Sequence, residues 1–128
     1  MRVLSESEQD RIKILTSSQV SFTLIEPTQT GLNKSIMDAT GSVRSFFKRQ
    51  GIHDYELQPQ GPNHKVIIPV IIHKGYGIVK TKASLYRPLT KKGDPRIWFY
   101  GLTKIIVANE ILGITFYDNC FQIFNLSQ

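Results

Sequence analysis

Residues 111–126, ILGITFYDNCFQIFNL, constrain the fold most: two apolar runs rich in β-branched and aromatic residues flank Asp118-Asn119. Asp and Asn tolerate positive φ, so a two-residue spacer of this kind predicts a tight type I′ hairpin. A lone hairpin is marginal in water and needs further strands beside it. The chain supplies candidates. Residues 64–74, HKVIIPVIIHK, read as a strand whose nearly continuous Val/Ile content predicts burial on both faces. Pro69 lies inside it and predicts an edge position or a bulge, because proline has no N–H to give a ladder. After a turn at 75–77, residues 78–86 read as the next strand. Lys80, Lys82, Ser84 and Tyr86 fall on one face, and Val79, Thr81, Ala83 and Leu85 on the other. Residues 20–26 alternate, with Val20, Phe22 and Leu24 on one side, and Pro27 ends that strand. Residues 96–102 read as a short strand or a turn of helix, followed by a partly helical connector.

Helical signals are short. Ser5 followed by Glu8 predicts a capping box at the start of a helix over 5–15. A short helix is expected over 33–39. A second is expected from 40 or 42 to 49, with Val43, Phe46 and Phe47 as its apolar stripe and Gly51 as its stop. The expectation is therefore one domain spanning 1–128, mostly β with short helices (α+β), built as a partly open and mostly antiparallel barrel or sandwich.

Charge narrows the functional classes. The net charge is +6 and the isoelectric point about 9.6. From Lys34 to Lys104 thirteen Lys and Arg face only Asp38, Asp54, Glu56 and Asp94, a local net of +9. A basic centre with acidic flanks predicts a directed positive surface. No apolar run is long enough to span a bilayer, and the acidic, polar N-terminus is unlike a secretory signal. The single Cys120 can form neither an internal disulfide nor a cysteine zinc site, so a cytoplasmic protein without a cofactor is expected.

Catalytic patterns are thin. There is no [DE]-x-K triplet of the kind a PD-(D/E)XK nuclease uses; Asp54 and Glu56, with Lys65 beyond, imitate one loosely. His53, His64 and His73 lack metal-ligand spacing. Neither a G-x-S-x-G elbow nor a Walker phosphate loop is present. Nucleic-acid binding fits better, because three loops are dense in cations, hydroxyls and amides. TQTGLNKS supplies Thr28, Gln29, Thr30, Asn33, Lys34 and Ser35. LQPQGPNHK supplies Gln58, Gln60, Asn63, His64 and Lys65. SLYRPLTKKGDPRIWFY supplies Arg87, Lys91, Lys92 and Arg96. Tyr55, Trp98 and Tyr100 are candidates for base stacking or for the core.

The run EPTQTGLNKSIMDATGSVRSFFKRQGIHDYELQPQG, then SLYRPLTKKGDPRIWFYGL and a closing YDNCFQIFNLS, resembles the N-terminal region of proteins that end in an MvaI/BcnI-type restriction endonuclease. The likeness covers about residues 20–127, and KGDPRIW is its most distinctive part. Such enzymes carry an N-terminal DNA-recognition or effector domain. In the EcoRII enzyme that domain is a B3-like DNA-binding pseudobarrel with an Asn-Asp-Thr-Gly-like loop, where this chain has Pro27-Thr28-Gln29-Thr30-Gly31. The resemblance implies a sequence-preferring double-stranded DNA-binding domain, non-catalytic by itself, with a C-terminal nuclease domain in the parent protein and a role in bacterial defence. Asn33, Lys34, Gln60 and Arg96 are the expected base readers. Thr28, Thr30, Ser35, Arg44, Lys48, Lys65, Lys80, Lys82, Arg87, Lys91 and Lys92 are the expected phosphate contacts. The alternatives are a compact Mg-dependent endonuclease using Asp54 and Glu56, and a protein-interaction domain with a basic surface.

Overall fold

The structure, a computed structural model, describes residues 1–128. It is an α+β arrangement around one curled seven-stranded sheet. In chain order the elements are α1 (Glu6–Ser17), β1 (Thr23–Ile25), α2 (Gln29–Leu32), β2 (Ile36–Asp38), α3 (Gly41–Arg49), β3 (Val66–Lys74), β4 (Gly77–Tyr86), β5 (Arg96–Phe99), β6 (Leu112–Tyr117) and β7 (Cys120–Asn125). The sheet order is β1-β6-β7-β3-β4-β5-β2. Every neighbouring pair is antiparallel except β3 and β7, which run parallel.

The β6–β7 hairpin forms as expected. Asp118 and Asn119 have φ of 55° and 58°, and Tyr117 faces Cys120 across the turn. Inside the curl lies the main core. Ile68, Val70 and Ile72 of β3, Ala83 and Leu85 of β4, Ile97 and Phe99 of β5, and Phe121 and Ile123 of β7 all point there. α3 closes it with Val43, Phe46 and Phe47, each worth roughly 1.5–3 kcal/mol on burial. A smaller cluster sits on the outer face at the β1–β6–β7 end, where Leu15 of α1 meets Ile111 and Leu126, with Phe22, Leu24 and Phe124 against it. α1 carries the capping box, with Ser5 Oγ accepting from Glu8 N–H and the Glu8 carboxylate accepting from Ser5 N–H.

Three expectations change. Burial of β3 on both faces is wrong: Ile67 is 55% exposed and Pro69 is exposed, because no element covers the outer face of β3 beside β4. The Val/Ile run there is a one-sided strand. Pro69 stands just before the parallel ladder to β7 begins at Val70, so its missing N–H leaves no gap in that ladder. The helix expected over 33–39 is also absent. A single turn, α2, comes earlier, and Ile36–Asp38 instead add a strand to the free edge of β5, burying Met37. Edge pairing and core burial here outweigh local helix preference. Finally, the strand over 20–26 shortens to Thr23–Ile25, with Val20 exposed, though Phe22 and Leu24 keep their shared face.

Candidate nucleic-acid interface

Register fixes what shares the outer face at the β2–β5 end of the sheet. Tyr86 is opposite Arg96, and Arg96 is opposite Asp38. Lys65 extends that row, its ammonium 5.2 Å from the centre of the Tyr86 ring. The next row holds Ile67, Ser84, Trp98 and Ile36, and the one after it Pro69 and Lys82, with Tyr100 alongside. Two connections overhang the first row: residues 26–35 between β1 and β2, and residues 87–95 between β4 and β5.

Together they form a cleft of about 280 Å³ lined by Thr28, Thr30, Lys34, Lys91 and Arg96, with Asp38 at its side and Ile25, Ile36 and Met37 as its apolar surface. The loop of 26–35 is shaped by its own polar groups. Thr28 Oγ accepts from Gly31 N–H, and Gly31 lies so close to Ile36 that a Cβ would come within 2.4 Å of its carbonyl oxygen. Asn33 is exposed, and its Oδ1 accepts from Gln29 Nε2 at 2.9 Å, which leaves its own amide hydrogens free. Ser35 adopts φ 57° while its carbonyl accepts from Phe99 N–H, locking the loop onto β5.

Across Lys91-Lys92 and Thr40-Gly41 lies a larger cleft of about 740 Å³, lined by Arg44, Lys48, Arg87 and Lys92 with Asp54, Glu56 and Asp94. Lys91 faces the first cleft and Lys92 the second. Both have left-handed φ, 52° and 56°, a conformation that costs a non-glycine residue roughly 1–2 kcal/mol. Arg87 shapes this loop: its Nε donates to the Gly93 carbonyl at 2.8 Å and its Nη1 to the Gln58 carbonyl at 3.1 Å. Buried Gln58 donates in turn to the His64 and Leu85 carbonyls. Gln60 lies against Gly93 and donates weakly to the Pro88 carbonyl at 3.4 Å, so its side chain is folded onto the 87–95 loop.

Arg96 differs from its neighbours. Its carbonyl accepts from the Tyr55 hydroxyl at 3.1 Å, and its Nε is buried with no partner. No carboxylate lies within ion-pair distance of its guanidinium, Asp94 included. Tyr55 is buried against Phe47 and His53, so it cannot stack on a base, and burial pushes its hydroxyl well above the usual tyrosine range. Its anchoring role had no signal in the sequence beyond its being aromatic.

Of the expected cations, Lys48 alone is ion-paired, to Asp54 at 3.8 Å and Glu56 at 3.7 Å. Asp54 and Glu56 thus hold a lysine between them, while Lys65 is engaged at Tyr86. No three His, Cys, Asp or Glu side chains converge. His53 contacts Gln58, and His73 contacts Gln122 while stacking on Phe124. Arg44 Nη1 donates to the Ala39 carbonyl at 2.7 Å. Lys80 and Lys82 are exposed on the outer face but lie roughly 20 and 13 Å down the sheet from the Arg96 row, outside both clefts. Trp98 and Tyr100 meet edge-on there, with centroids 6.0 Å apart. No helix is long and apolar enough to cross a membrane. A scan against protein-family models and searches of curated proteins and of solved structures find no match to this chain.

Proposed function

We propose that this chain is a sequence-preferring double-stranded DNA-binding domain, B3-like in its pseudobarrel, that serves as the recognition or effector domain of a cytoplasmic restriction endonuclease whose nuclease domain lies C-terminal to it. The observation that carries the reading is the Arg96 row with its two overhanging loops. At one end of a curled sheet it collects Thr28, Thr30, Lys34, Lys91, Lys92 and Arg96, and the four cations among them have no carboxylate partner. Cations that form no ion pair within the protein remain available to phosphates, and a guanidinium whose terminal nitrogens are unpaired suits a guanine edge. The sequence likeness to restriction-enzyme N-terminal regions supplies the biological setting.

Band-shift titrations on random-sequence and selected duplexes test this. With about six phosphate contacts, the slope of log K against log salt is expected near −5, about a thousandfold loss between 50 and 200 mM. Absence of duplex binding at low salt, or a flat salt profile, sinks the reading.

One observation favours a second reading, a protein-interaction domain. Down the sheet from the cleft, the outer face exposes Ile67, Ile78 and Tyr100 along with Lys80 and Lys82. If Lys80→Glu with Lys82→Glu leaves the salt slope of DNA binding unchanged, that face is left for another partner.

A further inference from the structure

Asp38 stands where a carboxylate is least expected. It is the register partner of Arg96 on adjacent antiparallel strands, on the same outer face, and both line the smaller cleft with Lys34 and Lys91. Opposite charges placed directly across a sheet ordinarily pair. Here no ion pair forms, the Asp38 carboxylate accepts no hydrogen bond within the protein, and Arg96 Nε is left without a partner. The Asp38 carboxylate and the terminal Nη atoms of Arg96 therefore stand uncommitted in one basic cleft, while Arg96 Nε is buried away from any ligand.

We propose that Asp38 is a specificity-determining residue that accepts a hydrogen bond from the exocyclic N4 amine of a cytosine, beside the guanine edge reached by Arg96. The inference rests on the DNA-binding reading above. A carboxylate facing a duplex repels phosphates, and only a base donor offsets that. In the major groove the donors are cytosine N4 and adenine N6. Adenine sets its own N7 acceptor beside N6, which opposes a carboxylate, whereas the acceptor beside cytosine N4 is the paired guanine O6, which a guanidinium can answer. Guanine O6 and N7 are the acceptors that Arg96 answers. The Asp38–Arg96 pair thus matches the donor and acceptor pattern of G·C.

The test is selection from random duplexes by the wild type, Asp38→Asn and Asp38→Ala, followed by competition titrations on the selected site. Asp38 is exposed at a strand end, and equal melting temperatures check that the variants fold. The wild type is expected to enrich a cytosine at one position, and Asp38→Ala to lose about tenfold in preference there alone. Its affinity for unrelated duplexes should hold or rise, because a negative charge is gone. The inference is overturned if Asp38→Ala selects the same site with the same stringency, if it raises affinity for all duplexes alike, or if the lost position is adenine. A wild type that binds no duplex overturns the DNA-binding reading, and this inference with it. A wild type that selects a site which Asp38→Ala also selects overturns the inference alone.

Discussion

At the scale of single residues, Arg96 stands out because the Tyr55 hydroxyl holds its carbonyl while its terminal guanidinium nitrogens have no protein partner. Arg96→Ala should abolish preference at one base pair while random-duplex affinity falls only modestly, as read by paired titrations; a uniform loss on all sequences makes it a phosphate contact. Tyr55→Phe tests the support beneath it. The hydroxyl stays protonated well into the alkaline range because burial raises its pKa, so it remains a donor to the Arg96 carbonyl. Its removal should cost about 1 kcal/mol in urea unfolding and weaken sequence preference more than nonspecific binding. Equal weakening of both kinds of binding would make Tyr55 a stability residue only.

At the scale of elements, two short segments carry opposed demands. Thr40 stands at the N-cap of α3 with no side-chain capping bond, at the wall between the two clefts. Thr40→Asn and Thr40→Asp should each stabilise α3 by about 0.5–1 kcal/mol in thermal unfolding. Only the Asp variant should lose DNA affinity, since it adds a negative charge to the cleft. If both variants lose affinity equally, charge is not the reason. Gly31→Ala should destabilise by about 1–3 kcal/mol, because the new methyl meets the Ile36 carbonyl. Such detail divides what could be read in the sequence from what could not. The β6–β7 turn, the α1 capping box and the α3 stripe were legible, because each is written in residues close along the chain. β2 was not: its reason for being a strand is Trp98, Ile97 and Arg96, some sixty residues away. The exposure of Ile67 was equally hidden, since Val/Ile content does not say which face has a cover. The candidate cleft was half legible. Its loops were picked out by composition, but Asp38, Tyr55 and the distance of Lys80 and Lys82 from Arg96 follow from register alone.

At the scale of the whole molecule, a buried acid ties distant parts of the chain together. Glu8 is buried, takes two bonds from Arg2 at 2.8 and 2.5 Å, and also contacts Ser127. The Arg2 guanidinium, then Ser127 and Ser5, hold its carboxyl well below the usual carboxylate range, against the opposing effect of burial. The folded-state pKa is therefore depressed, so this contribution is present above the ordinary Glu value of 4.5 and is lost as pH falls below it toward the folded value. Arg2 is partly exposed, so Glu8→Gln should cost only about 1–2 kcal/mol at pH 7. The difference from wild type should shrink between pH 5 and pH 3 in urea titrations. A difference that stays constant across that range would remove Glu8 from the acid response.

The sheet order also has a kinetic consequence. The β3–β4 ladder closes over the short turn between Lys74 and Gly77, so its contacts are local. The outermost pairing, Thr23 with Ile114, joins residues about ninety positions apart, and the parallel seam of Val70 with Phe121 joins residues about fifty apart. Loop-closure entropy opposes both until the local hairpins exist. Refolding should therefore take milliseconds to seconds, with β3–β4 and β6–β7 ordered in the transition state and β1 joining last. Until β1 closes over it, the apolar edge of β6 remains open to pairing with another chain.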